Sequence, residues 1–117
     1  MRESLVFDKS RVFALRIIKL YNYLKSERGE YVLSKQLLRS GTSIGANVSE
    51  AQCGQSMPDF TTKMFIALKE ANETEYWLRL LILSEYITEK EGQSLLDDCL
   101  EIKRILVSSL NTAKENK

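Results

Sequence analysis

Apolar positions recur along this chain with the 3.6-residue period of amphipathic helices, in four blocks, with no strand-like alternation between them. In the first block Phe13, Ile17, Leu20, Tyr21 and Leu24 share one face. Asp8 suits an N-cap and Arg28-Gly29 a stop, so this helix is expected from about Asp8 to about Glu27. The second block carries Leu33, Leu37, Ile44, Val48 and Ala51 between about Tyr31 and Gly54. The third opens at Ser56, which can cap while Asp59 answers three residues on, tolerates Pro58 in its first turn, and runs to about Glu85. The fourth follows a Thr88/Glu91 capping box and turns Leu95, Cys99, Ile102, Leu106, Leu110 and Ala113 inward. Four helices on short connections read as an all-α protein, one domain over residues 1–117, folded as an antiparallel up-down four-helix bundle.

The third block is apolar on two faces. Phe60, Met64, Ala67, Leu68, Ala71, Leu78, Leu81 and Ile82 form one arc, while Phe65, Ile66, Trp77, Leu80 and Leu83 lie outside it. A helix in a four-helix bundle buries one face on its companions, so the second needs cover, and another subunit is the natural one. Trp77, with Tyr76 beside it, is the candidate anchor; the alternative is that Trp77 closes the end of the core within one subunit.

The second block is built from poor helix formers, "SGTSIGANVSEAQ". On a helical wheel Gln36, Ser40, Ser43, Asn47 and Glu50 make a polar stripe beside the apolar one, and Gly41, Gly45 and Ala46 leave much of the remaining surface bare. Small residues permit close approach of a neighbouring backbone, and Ser and Asn can hydrogen-bond across such a contact. On the third helix Lys63, Glu70 and Trp77 lie in one row with Glu73 nearby and Glu75 close to the core, so these acids need partners, for which Arg39, Lys69 and the Gln36 and Asn47 amides are available.

Charge adds an asymmetry beneath a net +1: from Lys9 to Arg39 there are eight Lys/Arg and two Glu, and from Glu70 to Glu101 nine Asp/Glu with only Arg79 and Lys90. Either the two halves attract one another, or the basic half, including the strip Arg16, Lys19 and Tyr23, holds phosphates, most effectively if an oligomer brings its copies together. The chain has no His, which removes the Ser-His-Asp and Cys-His constellations, most zinc sites, and the Glu-x-x-His motif of di-iron bundles for Glu50, Glu70, Glu73 and Glu75. Cys53 and Cys99 have no CxxC partner and read as reduced, packed thiols. No apolar run is long enough for a membrane span and no apolar leader opens the sequence, so a cytoplasmic protein without catalytic site, metal or cofactor is expected.

The run Gln36, Arg39, Ser43, Ile44, Asn47, Glu50, followed by Phe60, Ala67, Glu73 and Leu78, resembles the four helix bundle proteins encoded in intervening sequences of bacterial 23S ribosomal RNA genes, a family similar to the accessory proteins of diversity-generating retroelements. The resemblance extends from about Phe7 to Ala113. It implies a barrel-like homopentamer without enzymatic activity and, for the retroelement relatives, binding of nucleic acid and of a reverse transcriptase. Many relatives have Glu-Gly where this chain has Glu50-Ala51, and many are more basic.

Two functions are therefore expected. One is an oligomer that presents Arg11, Arg16, Lys19, Lys35 and Arg39 to RNA or DNA backbone. The other is an oligomeric scaffold or protein-interaction module, in which Gln36, Ser43, Asn47, Glu50, Glu70, Glu73 and Trp77 set packing and assembly.

Overall fold

The computed structural model describes residues 2–115, with side chains described from Leu5 onward. Its four helices are α1 (Arg2–Arg28), α2 (Leu33–Gln52), α3 (Met57–Leu83) and α4 (Glu89–Glu115). Each helix packs on its neighbours in the chain and α4 closes back on α1, whereas in the diagonal pairs α1/α3 and α2/α4 no Cα atoms of described residues come within 8 Å of each other. Short connections reverse the chain at every corner, which makes the bundle up-and-down, 48 × 21 × 19 Å along its principal axes.

The helix ends follow local chemistry, with two departures from the sequence expectation. Helix α1 begins at Arg2, not Asp8. Nothing from Arg2 to Asp8 breaks a helix, and extending it buries Val6 completely, so packing prevails over the cap preference of one residue. Asp8 is an exposed interior residue, 3.4 Å from Arg11 one turn on.

Helix α2 starts at Leu33, and the group that caps it is Glu30. Its carboxylate accepts hydrogen bonds from the backbone N–H groups of Val32, Leu33 and Ser34, and the Ser34 hydroxyl returns one to the Glu30 carbonyl. Gly29, at φ +63°, makes the turn that brings Glu30 there. Helix α3 starts as expected: Ser56 Oγ accepts from the Asp59 amide, with Pro58 in the first turn. At α4 the Glu91 amide donates to Thr88 Oγ1.

The α3 C-terminus carries backbone strain. Tyr86 N donates to the Leu81 carbonyl and Glu85 N to that of Ile82, a closing pattern that puts Glu85 at φ 64°. A side chain is disfavoured there, so Glu85→Gly should raise the urea midpoint by the equivalent of about 0.5–1 kcal/mol.

The core contains the apolar faces read from the sequence. Phe13, Ile17, Leu24, Leu37, Ile44, Val48, Met64, Ala67, Ala71, Leu78, Leu81, Cys99, Ile102 and Leu106 are buried, while Leu20, Tyr21, Leu33, Phe60, Leu68, Ile82 and Leu110 are half-buried. No helix among the described residues is long and apolar enough to cross a membrane.

Candidate functional site: the charged seams and the outer apolar faces

The glycines of α2 face α1. A Cβ on Gly41 would lie 2.9 Å from Ile17 Cγ2 and 3.3 Å from Ile17 Cβ, and one on Gly45 would lie 3.4 Å from Ser10 Cβ. The thin side of α2 is therefore the α1 seam. Ala46, by contrast, is exposed.

The polar stripe lies on the other side of α2, along the rim of the α3 seam, and only part of it crosses. Ser43 Oγ donates to the Arg39 carbonyl and Asn47 Nδ2 to the Ser43 carbonyl, both within α2. These side chains satisfy themselves one turn back instead of bridging helices, as short polar groups in a helix do. Gln36 is exposed and its side chain crosses to no described residue of α3. Two charged groups of α2 do cross, Glu50 of the stripe and Arg39 beside it. The Arg39 guanidinium reaches Glu73 and lies 3.3 Å from Glu70, and Lys63 Nζ is 2.7 Å from Glu50. Inside that rim, the Thr74 and Ser40 hydroxyls are 2.9 Å apart and fully buried. Ser40 is in the predicted stripe; Thr74 reads in sequence only as a polar residue within an apolar arc.

Trp77 is half-buried against the core and donates from Nε1 to Glu73 at 2.9 Å. The Arg39 guanidinium and the Trp77 N–H together hold the Glu73 carboxyl below its usual range. Tyr76 meets Trp77 edge-on, 5.1 Å between centroids, and is exposed. The pair thus divides: Trp77 finishes the α2–α3 seam, and Tyr76 points outward.

Glu75 belongs to the opposite seam. Lys103 of α4 is 2.7 Å from it and Arg79 2.9 Å, and both, Lys103 foremost, depress its pKa against the effect of burial. The four carboxylates weighed as a metal site are split among Lys63, Arg39 and Lys103. Among the described residues no three His, Cys, Asp or Glu side chains gather as ligands. Cys99 is buried with Sγ 3.4 Å from the Ala71 carbonyl, and burial pushes its thiol up to about 12; Cys53 is exposed in the α2–α3 connection.

The proposed phosphate-binding residues do not form one free basic surface. Arg16 is 2.6 Å from Asp98 and 3.0 Å from Ser94 Oγ, Arg39 is engaged by Glu70 and Glu73, and Arg11 lies near Asp8 and over the Phe7 ring. Lys19 and Lys35 are exposed and pair with no described carboxylate. With Lys9–Glu101 added, the basic first half and the acidic second half attract each other across both the α1–α4 and α2–α3 seams. Arg16, Lys19 and Tyr23 do come together, along a groove of about 460 Å³ whose other wall is Ile87, Glu91 and Leu95.

What the sequence pattern did not single out is α1. Leu5, Val12, Leu15, Ile18 and Tyr23 are all exposed, Leu15 at 62%. On α3, Phe65, Tyr76 and Leu83 are exposed, Leu83 at 78%, whereas Ile66 and Leu80 are half-buried. The α1 row could have been found by asking which apolar residues remain once a single core face has been assigned.

Glu30 supplies a pH-sensitive element. Burial raises its pKa, but the Leu33, Ser34 and Val32 amides outweigh burial and hold it below 4.5. The charged carboxylate therefore stabilises the fold fully above pH 4.5, and this contribution is lost as pH falls through the depressed folded-state pKa. Glu30→Ala should cost about 1–2 kcal/mol at neutral pH and lessen the loss of urea stability on acidification, with Glu73 and Glu75 supplying the remainder.

Fold and surface together define a small up-and-down four-helix bundle with apolar outer faces on two diagonal helices. The chain belongs to the 23S rRNA-intervening sequence protein family, whose model matches residues 2–108. It is similar, at 55% identity and a TM-score of 0.93, to the crystal structure of a protein with unknown function from the S23 ribosomal protein family of Bacteroides thetaiotaomicron; the match covers 95% of this chain and 99% of that one. No match was found among curated proteins.

Proposed function

We propose that this protein is a non-enzymatic assembly module that stacks side by side into a closed ring. The observation that carries the reading is the pair of exposed apolar rows on α1 and α3, helices that lie diagonally across the bundle. Their outer faces point away from each other. A two-fold contact would cover one row and leave the other in water. A head-to-tail contact, α1 of one copy on α3 of the next, covers both and closes into a ring if the rotation allows. Both helices run in the same direction, and the rows from Leu5 to Tyr23 and from Phe65 to Leu83 are of equal span, about 27 Å. A neighbour standing alongside can therefore match them end to end. Five copies is the number the family resemblance implies. Light scattering should give a mass several times the 13.5 kDa of one chain; a monomer at micromolar concentration would remove the basis of this reading.

A second reading is contact with RNA or DNA backbone. It is favoured by Lys19 and Lys35, which stay exposed without a carboxylate partner and would be repeated around a ring. Because Arg16 and Arg39 are already neutralised, the salt dependence should reflect few contacts per subunit. In filter binding at low salt, retention of structured RNA that is reduced by Lys19→Ala/Lys35→Ala supports it. No retention at micromolar protein leaves the assembly module alone.

A further inference from the structure

The two apolar rows are not centred on the outer faces of their helices: each taken as a whole leans toward α4, although on α1 Leu15 stands mid-face and Ile18 on the α2 side. On α1, Leu5 borders a depression with Glu101, Arg104, Ile105 and Ser108, Val12 one with Asp98, Glu101 and Ile102, and Tyr23 the groove with Ile87, Glu91 and Leu95. These three therefore adjoin α4, not α2. On α3, Tyr76 and Leu83 stand three residues before and four after Arg79, hence on its side of the helix. Arg79 shares Glu75 with Lys103 of α4. Phe65 falls on the same line as Tyr76, three turns earlier. The residues that pair with α2, namely Lys63, Glu70 and Glu73, lie on the opposite flank together with Trp77, which bonds Glu73.

A subunit whose two contact faces lean toward one helix is a wedge with that helix at its narrow edge, and ring closure puts the narrow edge at the axis. We infer that the α3 row of a neighbouring copy seats against the α1–α4 side of each bundle, so that α4 lines the central channel and α2 faces the outside. This rests on the head-to-tail ring proposed above and names its inner surface. The occupant of the α1–α4 depressions is then the neighbour's Phe65, Tyr76 and Leu83. Arg104 and Ser108, both exposed on the outward side of α4, form the rim of the Leu5 depression farthest from α1 and face the axis. The small outer positions of α2, Ala46 among them, remain open to solvent around the rim.

The test places single cysteines on the two candidate inner surfaces, Ser108→Cys on α4 and Ala46→Cys on α2, in a Cys53→Ser chain whose only other thiol, Cys99, is buried. Both substituted sites are exposed, so folding and native mass should match the unsubstituted protein. A short bismaleimide should convert the Ser108→Cys protein into a ladder of covalent multimers with loss of the monomer band and leave the Ala46→Cys protein monomeric in denaturing gels. A ladder from Ala46→Cys and none from Ser108→Cys, at unchanged native mass, would overturn the inference while leaving the ring. No ladder from either site in an intact assembly would overturn it as well. A native mass of one chain for the unsubstituted protein would remove the ring itself, and the inference with it.

Discussion

Gly41→Leu should destabilise the protein by about 1–3 kcal/mol, read as a lower urea midpoint at fixed protein concentration. Even the first carbon of any side chain at this position would meet Ile17 Cγ2 at 2.9 Å, Cγ1 at 3.0 Å and Cβ at 3.3 Å. Ile17 is fully buried and β-branched, so it has little rotamer freedom with which to retreat, and its Cβ moves only if α1 moves. Leucine has a better intrinsic helix propensity than glycine by roughly 0.8 kcal/mol, which works against the clash without cancelling it. Combining Gly41→Ala with Ile17→Ala tests the cause: the pair should cost less than the sum of the two single changes, because the second removes the atoms that the first strikes. An unchanged midpoint for Gly41→Leu would mean that α1 and α2 part without cost and that the thin side of α2 has another purpose.

That contact also shows which part of the architecture was legible in the chain. The weak helix formers of α2 announce a close approach, but the sequence does not say to what. The polar stripe and the glycines read as one seam because they adjoin on a wheel. In the folded chain Gly41 and Gly45 meet α1, while Arg39 and Glu50 meet α3. Asn47 and Ser43 bond within their own helix, since each can reach a carbonyl one turn back more readily than one on a neighbour. Buried faces were legible because 3.6-residue periodicity reports burial directly, as at Phe13, Ile17 and Leu24. The Glu30 cap was not, because glutamate is an uncommon choice before a helix and its placement depends on the turn at Gly29. Asp8 misled for the converse reason: a residue with cap chemistry lies in mid-helix wherever packing upstream of it, here by Val6, makes the longer helix better.

The candidate surface was half legible. Charge separation along the chain predicts that the two halves could attract one another, and Arg16–Asp98 and Arg39–Glu73 are such contacts. Each partly exposed pair contributes little to stability, of the order of 0.2–1 kcal/mol. Their larger consequence is to neutralise cations that would otherwise stand free on the surface. The second apolar face of α3 was predicted; of its residues Trp77 is half-buried and bonds Glu73, while Phe65 and Leu83, with Tyr76 beside them, are exposed. Its counterpart on α1 has no simple period, since Leu5, Val12, Leu15 and Ile18 spread over an arc that also holds Asp8, Arg11 and Lys19.

The second large effect concerns those two rows. Leu15 and Phe65 are both exposed in the single chain, so a charge at either position leaves the bundle core untouched. In the proposed ring each would become a buried, unpaired carboxylate, at a cost of several kcal/mol. A head-to-tail ring needs both rows on every copy, so Leu15→Glu and Phe65→Glu should each dissociate it. A two-fold dimer on α1 would be broken by the first and indifferent to the second.

The most direct measurement is therefore the native mass of the two variants, alone and mixed. The account predicts that the unsubstituted protein is a multiple of 13.5 kDa, that each variant alone is a monomer with an unchanged helical spectrum, and that the mixture forms a pair and nothing larger. The pair arises because an intact α3 row from one variant can still meet an intact α1 row from the other. A Phe65→Glu protein that keeps the full native mass while Leu15→Glu is monomeric would contradict it.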